Sequence, residues 1–146
     1  MREQDGGGAM QIDGGCHCGA ISYEAEVDPE KVIVCHCTDC QAISGAPYRA
    51  NVPVLMENFA LRGTPTTYRK VGDSGNEVAT AFCGRCGAGL YSSRGAAPSF
   101  VFLRLGGVRQ RADLPPKAQG FCSSAMPWAM DISAVPRLPE RVRRGP

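Results

Sequence analysis

The sequence predicts a mainly β fold of short antiparallel sheets with little helix, held together by zinc. Three observations carry this. Apolar and polar residues alternate with period two over several short runs. Glycines and prolines punctuate those runs. Seven of the eight cysteines gather into three tight clusters. At 146 residues the chain suits one domain with a real core, and 43% hydrophobic with 21% charged residues is ordinary for a globular protein. The formal charge of +2 argues against bulk attraction to nucleic acid, so no nucleic-acid partner is expected. Thirteen of the sixteen basic residues are arginine. Arginine forks onto carboxylates, but the simpler reading of the excess is codon preference.

Residues 1–11 are polar and glycine-rich and read as a disordered tail, with order beginning near Ile12. Ile21, Tyr23, Ala25 and Val27 alternate with Ser22, Glu24 and Glu26, the pattern of a half-buried strand, which Asp28 and Pro29 end. Residues 31–35 form a short strand that delivers Cys35 into the second cluster. Residues 48–55 form another, which Pro53 assigns to an edge or a bulge. Residues 66–70 and 78–82 flank a turn at 72–76. Residues 90–92 and 100–105 continue the β pattern. One or two helical turns follow Cys40 through Gln41, Ala42 and Ile43. A second short helix is expected at 113–117, limited by Pro115 and Pro116. The catalytic domain therefore spans 12–138, and 139–146 is a basic tail with proline and arginine, read as a solvated end rather than a contact arm.

No apolar stretch has the length of a secretory signal core or a membrane span, so a cytoplasmic protein without a membrane partner is expected. In a reducing compartment clustered cysteines are metal ligands more often than disulfides. The spacing agrees, because a bridge across Cys-x-Cys would be strained.

The clusters are Cys16-His17-Cys18, Cys35-His36-Cys37-Thr38-Asp39-Cys40 and Cys83-Gly84-Arg85-Cys86. The last is followed by Gly87, which can take the positive φ that a zinc knuckle needs just after its turn. Cys83 and Cys86 need two more ligands for a tetrahedron, and Cys16 and Cys18 can supply them if they lie on a strand or loop end, where alternate residues face the same way. That site is closed and structural. Cys35, Cys37 and Cys40 supply three thiolates and leave a fourth position for water or a substrate atom. Three thiolates reduce the residual charge on the metal, which points to thiol chemistry rather than hydrolysis. Two zinc ions per chain are expected, one structural and one catalytic. A fourth protein ligand would close the second site instead; His17, His36 and Cys122 are the candidates. His17 and His36 each lie between residues that share a face, and Cys122 reads as a small buried hydrophobe.

With the clusters in view, the chain resembles the glutathione-dependent formaldehyde-activating enzyme family, which includes centromere protein V. The matching pieces are Gly15 to Gly19 with Tyr23, and Cys35 to Gln41 with Gly45 and Ala46. Gly63 to Tyr68, Ser74 to Asn76, Phe82 to Gly87, and Pro127 with Trp128 follow in order. The resemblance implies a zinc-stabilised β-tent fold. It implies a structural metal on Cys16, Cys18, Cys83 and Cys86, and a catalytic one on Cys35, Cys37 and Cys40. It also implies a carbon–sulfur lyase activity that joins glutathione to formaldehyde or cleaves the S-hydroxymethyl adduct. The chain departs from the family at 116–120, where no histidine follows Pro116, and at Asp113, where an acidic pair is common.

The expected function is thus a zinc-dependent S-(hydroxymethyl)glutathione synthase-like enzyme. Its partners are a small thiol such as glutathione and a small carbonyl. The alternatives are a non-catalytic zinc-binding interaction module and a thiol-based redox or metal-buffering protein. Tyr48 and Arg49 are candidates to line the pocket and meet a substrate carboxylate. Asp39 is expected to cap its own turn. Trp128 reads as core or pocket wall.

Overall fold

The computed structural model describes residues 8–72 and 75–140. Most of the expected N-terminal tail, positions 73 and 74 of the expected turn, and the basic end at 141–146 lie outside the described residues. The first strand, β1 (Met10–Gly15), starts ahead of the boundary at 12. It forms a hairpin with β2 (Ser22–Val27). A single 3-10 turn at Pro29–Lys31 leads to β3 (Ile33–Cys35) and then α1 (Thr38–Ser44). The strands β4 (Arg49–Leu55), β5 (Phe59–Arg62), β6 (Thr66–Val71), β7 (Glu77–Phe82), β8 (Gly89–Arg94) and β9 (Phe100–Arg104) follow. The last is β10 (Ala118–Gly120).

These strands build two sheets. One has the order β1-β2-β5, the other β10-β3-β4-β9-β8-β7-β6. All pairs are antiparallel except β10 with β3, which is parallel. The period-2 pattern explains how the sheets pack. Val34, Val52, Val54, Val101, Leu103 and Ala81 lie on one face of the larger sheet, and all are buried. That face packs on Ile12, Tyr23, Ala25 and Val27 of the smaller sheet. Phe59 bridges the two, with its ring centroid 5.9 Å from Tyr23 and 5.4 Å from Tyr91. Burial of this apolar surface is the main force holding the sheets together.

The end of β1 meets the turn after β9 through closely approaching glycines. A Cβ on Gly14 would run into the Gly107 carbonyl, and a Cβ on Gly107 would run into the Gly15 carbonyl. Arg109 and Gln110 fasten the same junction. The Gln110 amide donates to Asp13 Oδ1 at 2.7 Å while accepting from the Asp13 backbone N–H at 3.0 Å. Arg109 Nη2 lies 2.8 Å from the same carboxylate.

Four expectations need correction. Pro53 lies on an interior strand, between β3 and β9, without a bulge. The sheet tolerates it because β3 stops at Ile33, opposite Asn51, so on that side there is no ladder for Pro53 to interrupt. No helix forms at 113–117; a 3-10 turn at Arg111–Asp113 ends before the prolines. Trp128 is not core but 62% exposed, on a 3-10 turn at Pro127–Met130, and it lines neither cavity beside the second cysteine cluster. Cys122 is exposed rather than buried, for it sits on a 3-10 turn of that surface segment.

Candidate metal centres

Two hairpin tips make the first cluster. Cys16 and Cys18 occupy the loop between β1 and β2, and Cys83 and Cys86 the loop between β7 and β8. The four sulfurs all lie within 4.8 Å of one another. Cys16 Sγ is 3.7 Å from Cys18 Sγ, which is 3.8 Å from Cys83 Sγ. A tetrahedron with Zn–S bonds of about 2.3 Å has edges of about 3.8 Å, so the spacing fits zinc. Gly87 has φ +84°, as the knuckle requires, and its N–H donates to the Cys83 carbonyl at 2.7 Å. Backbone amides also point at sulfur. Ile21 N–H donates to Cys16 Sγ at 3.2 Å and Arg85 N–H to Cys83 Sγ at 3.4 Å. The Ala88 and Cys18 amides pull the Cys86 thiol down to about 6, which favours the thiolate that a metal binds.

The second cluster forms where β3 runs into α1. Cys35 ends the strand, Cys37 is the helix N-cap, and Cys40 lies in its first turn. Cys37 Sγ accepts from the Cys40 N–H at 3.3 Å, so the ligand turn and the helix cap are one structure. The three sulfurs lie within 4.8 Å of one another, and no fourth Cys, His, Asp or Glu atom joins them among the described residues. Burial, followed by the neighbouring Cys37 and Cys35 thiols, pushes Cys40 up to about 12. Burial also opposes the Cys37 thiolate, but the Cys40 amide, the two neighbouring thiols and the Arg49 guanidinium outweigh it, and its pKa falls.

The alternative fourth ligands are elsewhere. His36 is fully buried, with Nε2 2.9 Å from Gln119 Oε1 and its ring edge-on to Tyr48 at 5.3 Å. His17 is exposed beside the first cluster. Cys122 belongs to neither group. Asp39 does not cap its own turn. Its carboxylate accepts from Lys70 Nζ at 2.9 Å, which links α1 to β6 across the site.

The three thiols open onto the second face of the larger sheet, where a cavity of about 340 Å³ adjoins one of about 790 Å³. Ile43, Arg49, Tyr68 and Thr80 border both. This face follows from strand register. Cys35 lies opposite Arg49, Asn51 opposite Arg104, Ser92 opposite Thr80, and Thr80 opposite Tyr68. Asn51, Thr80, Ser92 and Arg104 are buried polar residues that the sequence reading did not single out. The available signal was polar residues recurring in step with Arg49 inside otherwise apolar strands.

The model of the glutathione-dependent formaldehyde-activating enzyme family matches residues 11–124, which includes both clusters. The chain belongs to that family. A crystal structure of a Rhodobacter sphaeroides protein, a structural-genomics target, is similar to this family member with a TM-score of 0.58 and 21% identity. It covers 73% of this chain and 98% of the other, a likeness of fold. No curated protein matches the chain. Within the family fold, the first cluster joins the two sheets and the second faces the cavity.

Proposed function

We propose that this protein is a zinc-dependent carbon–sulfur lyase-like enzyme that forms or cleaves the S-hydroxymethyl adduct of a thiol, glutathione or a similar one, with formaldehyde or another small carbonyl. The observation that carries the reading is the convergence of Cys35, Cys37 and Cys40 at a cavity wall with no fourth protein ligand among the described residues. Family membership supplies glutathione and formaldehyde as the substrate pair to test. Cys35, Cys37 and Cys40 would hold the catalytic zinc, and Cys16, Cys18, Cys83 and Cys86 the structural one. Zinc at an open thiolate site supplies Lewis acidity and lowers the pKa of a thiol that it binds.

The chain's own residues do the rest. The Cys37 cap fixes the three sulfurs on one rigid turn. The cavity holds thiol and carbonyl together, which removes the entropic cost of their encounter. Arg49 stands beside the sulfurs, and its charge favours the ionised form of Cys37. In the synthetic direction the thiol sulfur bonds to the carbonyl carbon and the thiol proton ends on the oxygen, so no oxidant or reductant is needed. A reducing cytoplasm suits eight unbridged cysteines. No described helix is long and apolar enough to cross a membrane.

Exchange spectroscopy by NMR on glutathione and formaldehyde tests the activity. Zinc-loaded protein should accelerate exchange with the adduct, and Cys37→Ala should abolish the effect while leaving the fold. Unchanged exchange at high protein concentration would overturn the proposal. The second reading, a non-catalytic interaction module, draws on the exposed Trp128, Met130, Ile132 and Val135.

A further inference from the structure

Two guanidinium groups at the two adjoining cavities lack an anion: Arg49 borders both, and Arg104 lines the larger. Arg104 is 7% exposed. Its Nη1 donates to Asn51 Oδ1 at 2.7 Å and to the Phe102 carbonyl at 3.2 Å, both neutral acceptors. Its Nη2 is buried without a partner. Arg49, two residues before Asn51 on the same face of β4, has Nε and Nη1 buried without a partner. Neither arginine forms an ion pair among the described residues. Burial of a cation without a counter-ion is destabilising, and two such cations on adjacent strands repel. Burial first, and then the Arg49 charge, pulls Arg104 down to about 9, so it stays protonated at neutral pH.

The thiolates beside them do not answer this need. They contribute negative charge, but neither guanidinium donates a hydrogen bond to a cysteine sulfur. Three buried N–H-bearing nitrogens therefore lack an oxygen acceptor. Of the other charged residues that line the smaller cavity, Lys70 pairs with Asp39, and Arg94 adds a further positive charge. A planar carboxylate matches the donors of guanidinium groups in geometry and charge.

We propose that Arg49 and Arg104 form a carboxylate subsite, so that the thiol this cavity takes carries a carboxylate within reach of its sulfur. The subsite deepens the thiol–carbonyl reading for substrate class and rests on that reading only for the thiol end. The arginine excess, read from sequence as codon preference, thus has a functional member at each of these two positions.

The test uses zinc-loaded wild-type protein and arginine Nε–Hε NMR signals, with circular dichroism on every variant. Titration with propionate should shift the Arg49 and Arg104 signals, and equimolar inorganic phosphate should shift them less. 3-Mercaptopropionate should bind about 10-fold or more tightly than 3-mercapto-1-propanol, the size of effect expected for a charge-assisted contact. Arg49→Met and Arg104→Met should each collapse that ratio. Equal affinity of the two thiols, with no shift on propionate, overturns the subsite and leaves the thiol reading standing. Signals that move with phosphate and not with propionate overturn it as well. Propionate shifts with no binding of either thiol support the subsite and overturn the thiol reading. The wild-type titration decides the matter even where a variant does not fold.

Discussion

Arg104 and Asn51 face each other across β9 and β4, joined by a 2.7 Å hydrogen bond from Nη1 to Oδ1 in a buried setting. The amide anchors the arginine without neutralising it, and the energetic consequence can be measured. Replacing both partners with apolar residues of similar shape removes a buried charge and leaves no orphaned amide. The Asn51→Leu/Arg104→Met double variant should be at least as stable as wild type in urea denaturation, whereas Arg104→Met alone should be less stable than the double variant. A double variant destabilised beyond the single one would show that the arginine is structural.

Loss of one ligand should affect the two metal centres differently. The four-thiol cluster joins the tips of two hairpins from different sheets. Structural zinc sites contribute free energy on the order of 10 kcal/mol, comparable to the whole stability of a domain. Cys83→Ala should therefore abolish cooperative thermal unfolding. Cys37→Ala should keep it, with a loss of about 1 kcal/mol from the missing helix cap. Circular dichroism melts check both.

Metal removal should follow the same order. Protein purified without chelator is expected to carry two zinc ions. A colorimetric chelator should take the one at Cys35, Cys37 and Cys40 first, since that site offers three sulfurs instead of four. His36→Gln should leave the stoichiometry at two, because the His36 Nε2 faces Gln119. A fall to one zinc on that substitution would reinstate the histidine as a ligand.

The glycine junction predicts a steric effect. Gly107→Ala brings a methyl group against the Gly15 carbonyl, and backbone cannot turn aside as a side chain can. The expected loss is about 1–3 kcal/mol in equilibrium unfolding. Gly106→Ala, where a Cβ meets nothing within 4 Å, is the control.

Asp13 predicts a pH dependence. Hydrogen bonds from Gln110 and then Arg109 hold its carboxyl below the usual 3.8. The folded state therefore prefers the ionised form. That contribution is present above the unfolded value and lost as pH falls through the lower folded value. The stability difference between wild type and Asp13→Asn should be constant above about pH 5 and shrink below about pH 4.

The strands were legible where alternation was strong. Ile21 to Val27 announced β2, and residues 78–82 announced β7. β5 and β10 were not, because Phe59–Arg62 and Ala118–Gly120 are too short for a period to emerge. The sulfur clusters were readable because a metal demands a local spacing that sequence displays directly. The cavity was not. Arg104 reaches it only through the register of β9 against β4, and that pairing spans 53 positions. Asp39 was misassigned for the same reason, as its partner Lys70 lies 31 residues away.

Sequence separation also orders the assembly of the two centres. Cys37 and Cys40 are three residues apart, whereas Cys18 and Cys83 are separated by 65. Closing the longer loop costs the unfolded chain about 2–3 kcal/mol more in entropy. A chain leaving the ribosome presents Cys35, Cys37 and Cys40 complete before Cys83 and Cys86, half of the four-thiol cluster, have been synthesised. During that interval the three-thiol cluster could capture metal on its own, with the thiols of Cys16 and Cys18 as the nearest competitors.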